Sequence, residues 1–190
     1  MLRFVVLVAA LGLGAGKGKA PKGPPPPPPP PPPPTAPMPK VQDNLNARVL
    51  TALEAATQVQ AFRVASSGGL RPDAAKAIGS DFTREAAGKV LVPEELKKLR
   101  GILYAEKSYR FAADVAACNF EPDVSFQAAS GLDTLETLVS FKCGSVLFYL
   151  GKPGGRWLPA GTVDVKPARA ALLELAKATL PNDAAVQKLK

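Results

Sequence analysis

Eleven consecutive prolines, Pro24 to Pro34, constrain the fold of this 190-residue chain more than any other feature. Proline fixes φ at about −65° and lacks an amide donor, so the run fits neither a helix interior nor a central strand. It favours polyproline II, a semi-rigid rod of about 34 Å. Because residues 1–40 otherwise hold only an apolar start and a Gly/Lys patch, we predict a single globular domain over residues 41–190.

Residues 21–40 are predicted to be a proline-rich, low-complexity spacer, which leaves the N-terminal segment disordered or in polyproline II. The alternative is a ligand for an aromatic-lined groove of the SH3, WW or profilin kind. Those partners are chiefly cytosolic modules, whereas the N-terminus predicts export. The spacer is therefore the favoured interpretation.

Residues 1–20, MLRFVVLVAALGLGAGKGKA, have the three-part pattern of a secretory signal peptide. Arg3 precedes an apolar run from Phe4 to Leu13, and small residues follow. A helix from Phe4 to Gly16 would reach only about 20 Å, whereas the hydrocarbon core of a membrane is about 30 Å thick. We therefore predict a secreted chain, periplasmic or extracellular, with no stable transmembrane span. An uncleaved N-terminal anchor that retains the chain is the alternative.

The formal net charge of +8 does not predict a nucleic-acid partner, because of how it is distributed. Residues 1–40 contribute +5 without any acid, and the remaining 19 basic and 16 acidic residues are interleaved. A phosphate-binding surface needs basic residues clustered on one face. We therefore expect a protein or a cell-envelope component as the partner, and no nucleic acid.

Strand-like and helix-like patterns occupy separate segments of residues 41–190. Helical spacing of apolar residues begins after a cap at Asp43 or Asn44, and again at Pro93 and Pro167. Strand patterns occur at 58–64, 123–128, 134–143, 145–150 and 156–158, with a short strand before Pro93 and an edge strand near 78–82. This segregation predicts an α+β domain, an antiparallel sheet with helices packed on it.

The two cysteines, Cys118 and Cys143, are predicted to form a disulfide. Export to an oxidising compartment and an even count favour it. In TLETLVSFKC, alternation places Cys143 on the core side of a strand, with Glu136, Ser140 and Lys142 on the other side. The turn SGLD at 130–133 makes a hairpin that can bring Cys118 beside it. Two separate buried thiols are the alternative.

The chain has no histidine, which excludes Ser-His and Cys-His nucleophile pairs and histidine metal sites. We predict no catalytic residue, no metal site and no cofactor. One alternative is an enzyme that uses the carboxylates of Glu121 and Asp123 near Tyr109 or Arg110. Another is a thiol-redox or metal-binding protein centred on the cysteines, although their spacing differs from C-x-x-C and four ligands are usual for zinc.

Tyr149 and Trp157 flank the sequence KPGG at 152–155, which reads as a turn. Aromatic side chains beside a turn can form an exposed contact with a partner. A core position for both is the favoured interpretation. The function predicted overall is a non-catalytic exported module that binds a partner or a surface at the end of the spacer.

Three segments, AACNFEPDVSF, LVSFKC and LLELAKATLP, resemble a broad group of uncharacterised, mostly bacterial exported or membrane-tethered proteins. In that group a Cys-aromatic-x-Pro segment is followed by a strand that ends in a C-F-x-C-like motif. ALEAATQVQAFRV and LVPEELKKLRGILYAEKSY are also similar, so the resemblance covers about residues 45–183. This chain has Ser140 in place of the first cysteine of the motif, which argues against a metal or dithiol role. The resemblance implies no activity, since none is established for the group.

Overall fold

The computed structural model of the chain describes residues 32–69, 73–111, 118–130, 133–152 and 155–190. The predicted leader and most of the proline tract lie outside these residues, as do the centres of the turns predicted at 130–133 and 152–155. No helix in the described part is long and apolar enough to cross a membrane.

The described residues form one seven-stranded antiparallel sheet. Its strands are β1 (Gln58–Ser66), β2 (Ala77–Ile78), β3 (Phe82–Val90), β4 (Val124–Ser130), β5 (Asp133–Ser140), β6 (Ser145–Gly151) and β7 (Trp157–Asp164). Their order across the sheet is β2-β3-β1-β4-β5-β6-β7. The last four strands are the antiparallel meander predicted from the sequence, and β1 joins it to β3.

Helices cover one face of this sheet. They are α1 (Pro39–Asn44), α2 (Ala47–Ala55), α3 (Pro93–Tyr104), α4 (Arg169–Thr179) and α5 (Ala184–Gln187), with 3₁₀ turns at Glu106–Ser108 and Lys166–Ala168. The apolar stripes predicted for α3 and α4 are buried, including Leu99, Leu103 and Leu172. The α+β fold class with helices on an antiparallel sheet is therefore confirmed.

The sheet is curled, and both of its faces carry buried side chains. The helix-covered face includes Phe126, Leu135 and Phe148. The opposite face, here called the concave face, holds a second apolar cluster made by Val64, Ile78, Phe82, Leu138, Tyr149 and Trp157. Because both faces are covered, every residue of β5 from Thr134 to Ser140 is buried.

The strand β3 is longer than the sequence predicted. The edge strand expected near 78–82 is present as β2 at Ala77–Ile78, and the short strand expected before Pro93 is the end of a continuous strand over Phe82–Val90. Two alanines and a glycine give this segment a low strand propensity. Its pairing with β1 also has two register shifts, which break the period of two that identifies a strand in sequence.

The predicted N-terminal helix is divided into two. α1 ends at Asn44, and α2 starts at Ala47 with Asn46 as its N-cap. The Asn46 side chain accepts a hydrogen bond from the Arg48 backbone N–H at 2.9 Å. The prediction that Asp43 or Asn44 caps a single helix was therefore wrong, and Asn46 caps the second of two helices instead.

The last part of the proline-rich segment contacts α3. Pro33 lies over Gly101, so close that a Cβ at position 101 would be 2.7 Å from the Pro33 Cβ. The Met38 backbone N–H donates to the Tyr104 carbonyl oxygen at 3.0 Å. Gly101 is in a helix interior, where glycine is unfavourable, and the approach of Pro33 explains why it is tolerated here.

The domain boundary predicted at residue 41 falls inside α1, which starts at Pro39. The backbone N–H of Lys40 donates to the carboxylate of Glu106 at 3.1 Å. Removal of residues 17–40 would therefore delete part of a helix together with these contacts.

Replacing Gly101 by alanine tests the contact with Pro33. In an ordinary helix interior this change stabilises a protein by about 0.5 to 1 kcal/mol. We expect the gain to be lost or reversed in the wild-type background, because the new methyl group displaces Pro33. The gain should return when Pro33→Gly removes the opposing Cβ, and denaturant unfolding of the four variants in this cycle measures it. Equal stabilisation in both backgrounds would contradict the contact.

Candidate functional site

A buried ion pair lies on the concave face. Arg84 on β3 donates through Nε to Glu136 Oε1 at 3.2 Å and through Nη2 to Oε2 at 2.7 Å. Glu136 on β5 is fully buried and Arg84 is 6% exposed. Charged groups are rarely buried to this extent unless they are paired and hydrogen-bonded.

Neighbouring side chains complete the hydrogen bonding of Glu136. The Ser125 hydroxyl donates to Oε1 at 2.6 Å, and the Gln127 amide donates to Oε2 at 3.3 Å. Both residues lie on β4, where Gln127 is the cross-strand neighbour of Glu136. The carboxylate therefore accepts hydrogen bonds from Arg84 on β3 and from two side chains on β4, the strand next to its own.

Two aromatic rings flank the Arg84 guanidinium. Its central carbon lies 5.4 Å from the ring centroid of Phe62 and 5.4 Å from that of Trp157. These distances allow cation–π attraction on both sides. Since Trp157 is on β7 and Arg84 is on β3, with four strands between them in the sheet order, the contact also shows how strongly the sheet curls.

A cleft of about 230 Å³ lies beside the ion pair. Its walls include Phe62 of β1, Arg84 and Ala87 of β3, Gln127 of β4, and Lys76 from the segment that leads into β2. The cleft lies where β2 begins, since Ala77 pairs with Thr83 and no β2 residue pairs with β3 beyond it. Beyond that point the outer edge of β3 has no strand neighbour among the described residues.

The predicted disulfide between Cys118 and Cys143 is present, with a Cα–Cα separation of 5.9 Å. The argument that Cys143 lies on a strand, on its core side, was wrong. β5 ends at Ser140, and Cys143 lies in the turn before β6, next to Gly144 with its left-handed φ of 64°. The turn follows β5 closely enough for Cys118 to reach it.

The parity argument also put Glu136 and Ser140 on the side of the strand opposite the core residues. They are on the face predicted, but both are fully buried. The sequence pattern indicates which residues share a face, whereas burial of that face depends on the curl of the whole sheet. Arg84 and Phe62 were missed as site residues, and the only available hint was one acid inside the apolar strand LETLVSF.

Tyr149 and Trp157 are 6% and 7% exposed, and both belong to the apolar cluster of the concave face. The favoured core interpretation agrees with this placement, and neither ring forms an exposed contact surface. The Trp157 indole N–H and the Tyr104 hydroxyl have no hydrogen-bond partner among the described residues.

The carboxylates considered for an enzyme are engaged in other contacts. Glu121 accepts an ion pair from Lys142 at 3.0 Å, and Asp123 accepts the Phe141 backbone N–H at 2.8 Å. Burial raises the pKa of the Asp123 carboxyl. The Tyr109 hydroxyl donates to the Leu103 carbonyl oxygen at 2.5 Å, and burial raises the pKa of this phenol.

Arg110, the other residue considered beside these carboxylates, is exposed, and its backbone N–H donates to the Asp164 carbonyl oxygen at 3.0 Å.

Thiol chemistry has little support in this arrangement. Both cysteines of the chain are consumed by the disulfide. Within the part of the chain that the structure describes, no three acidic or cysteine side chains are grouped so as to hold a metal ion.

No protein-family model, curated protein or solved structure matches this chain. The resemblance to exported or membrane-tethered bacterial proteins therefore stays a prediction. The class that the fold and the site define is a disulfide-containing α+β domain with a cleft, lined by charged and apolar side chains, on the concave face of its sheet.

Proposed function

We propose that this chain is a non-catalytic exported module, carried at the end of a proline-rich spacer, which binds a partner through the concave face of its sheet. The observation that carries the proposal is the cleft beside the Arg84–Glu136 pair. A concave site with an apolar wall and a few convergent polar groups is the usual form of a binding site.

Two further observations support this proposal. The disulfide is compatible with an oxidising compartment, where such bonds persist. The chain also lacks histidine, the commonest general base, and its candidate carboxylates have structural partners. These features favour binding over turnover.

The test uses the full-length chain in three assays. Fractionation of cells that express it natively should recover it outside the cytosol. Immobilised protein should retain peptidoglycan fragments, glycans or a purified envelope protein. Chromogenic ester, glycoside and phosphate substrates should not be turned over.

Two variants connect binding to the concave face. Ala87→Leu adds bulk at an exposed position in the cleft and should weaken retention of the envelope component. Lys107→Ala removes an exposed charge elsewhere and should not. Cytosolic recovery, substrate turnover, or equal retention by both variants would each contradict the proposed function.

A further inference from the structure

We propose that the cleft beside Arg84 and Glu136 binds a compact monocarboxylate with an apolar body. This inference rests on the proposed function, since it names the chemical class that the binding face recognises. It follows from the unpaired charge of Lys76, the lining and the size of the cleft.

The cations at the cleft differ in whether an acid pairs with them among the described residues. Arg84 is neutralised by Glu136, and Arg63 lies between the carboxylates of Glu85, at the cleft wall, and Asp183. Lys76 lines the cleft and has no ion-pair partner in the described part of the chain.

Asp73, in the same segment as Lys76, does not supply an ion-pair partner for it. Asp73 accepts the Ala75 backbone N–H at 3.0 Å, and it is not part of the cleft wall. The single unpaired ammonium of Lys76 suits one carboxylate. A doubly charged phosphate would keep an uncompensated negative charge.

Donors suited to a carboxylate converge on the cleft. The Lys76 ammonium can approach from the rim, and Arg84 Nη1 makes only a long bond of 3.3 Å, to the Ala75 carbonyl oxygen. Apolar side chains of Phe62, Ala86 and Ala87 also line the cleft. A ligand with a charged end and an apolar body therefore matches this lining.

The volume of the cleft limits the size of this ligand. About 230 Å³ is smaller than the roughly 300 to 1,000 Å³ of typical small-molecule sites. At roughly 30 Å³ for each water-sized group, it holds roughly eight such groups. Benzoate is of this size, and neutral benzamide has nearly the same shape, so the two form a matched pair of probes.

Titration of the full-length protein with each probe, followed by calorimetry and amide chemical shifts, tests the inference. We expect benzoate to bind at least about tenfold more tightly than benzamide, with shifts at Lys76, Ala86 and Ala87. Inorganic phosphate should bind more weakly than benzoate. Equal affinities for benzoate and benzamide, or shifts elsewhere in the domain, would overturn the assignment.

Variants separate the contribution of the Lys76 charge to benzoate binding from that of the open volume of the cleft. Lys76→Ala should weaken benzoate binding by up to about fivefold, because the ammonium is exposed and its attraction is screened. Ala87→Leu should weaken benzoate and benzamide alike by filling the cleft, and Lys107→Ala should change neither. Unaltered benzoate affinity in both cleft variants would reject the site.

Failure of this inference can be told apart from failure of the proposed function. If benzoate does not bind but an envelope component is retained and Ala87→Leu weakens that retention, the ligand class is wrong and the proposed function stands. If the protein is cytosolic or turns over a substrate, the proposed function is wrong, whatever benzoate does.

Discussion

Replacing Glu136 by glutamine is expected to lower the free energy of unfolding by about 3 to 5 kcal/mol. Glutamine keeps the shape of the side chain but removes the negative charge that compensates Arg84. The guanidinium would then stay buried beside Phe62 and Trp157 without a counter-ion. Such a loss is a large share of the free energy of unfolding of a typical folded domain, which is about 5 to 15 kcal/mol. Urea unfolding monitored by circular dichroism measures it.

Two controls establish the cause of that loss. Arg84→Met combined with Glu136→Leu removes both charges, so the double variant should be more stable than Glu136→Gln alone. Glu174→Gln breaks the exposed pair with Lys98 and should cost less than about 1 kcal/mol. A cost for Glu136→Gln as small as that of Glu174→Gln would show that the buried pair is not an essential part of the fold.

Loss of the disulfide is the second large effect expected. Its cysteines are 25 positions apart, and closing a loop of this length restricts the unfolded chain. The chain-entropy model gives about 3.5 kcal/mol of stabilisation. Cys118→Ser and Cys143→Ser should each lose this amount, measured by thermal and denaturant unfolding without reductant. Adding reductant to the wild-type protein should lower its stability to the same level.

The two single cysteine variants also separate the disulfide from free thiols. Cys118 is exposed and Cys143 is buried, so without a bond Cys118→Ser would be nearly silent and only Cys143→Ser would be costly. If the bond is present, the two variants should lose equal amounts of stability. Alkylation of both sulfurs in native, non-reduced protein would contradict it.

Much of the meander could be predicted from local pattern. β4, β6 and the apolar stripe of α4 have regular spacing, so their existence and their buried faces follow from the sequence. β3 could not be predicted in the same way, because Ala86, Ala87 and Gly88 have little strand propensity and its pairing with β1 is irregular. Tertiary pairing determines that strand.

The candidate site could not be predicted from the local sequence pattern, for a related reason. Arg84 and Glu136 are 52 residues apart, and the pattern of β5 alone places Glu136 on a polar side. Only the curl of the sheet, which brings β3 towards β7, covers that side. The disulfide was predicted correctly because cysteine number and compartment are properties of the whole chain, although the strand argument for it failed.

The buried ion pair restricts the mutational paths open to this sequence. A single substitution at position 84 or 136 leaves one unpaired charge in the interior, so either first step passes through a poorly folded intermediate. The two positions will therefore tend to be exchanged together or retained together over evolutionary time. The exposed pair of Lys98 and Glu174 has no such barrier, and its members are free to drift one at a time.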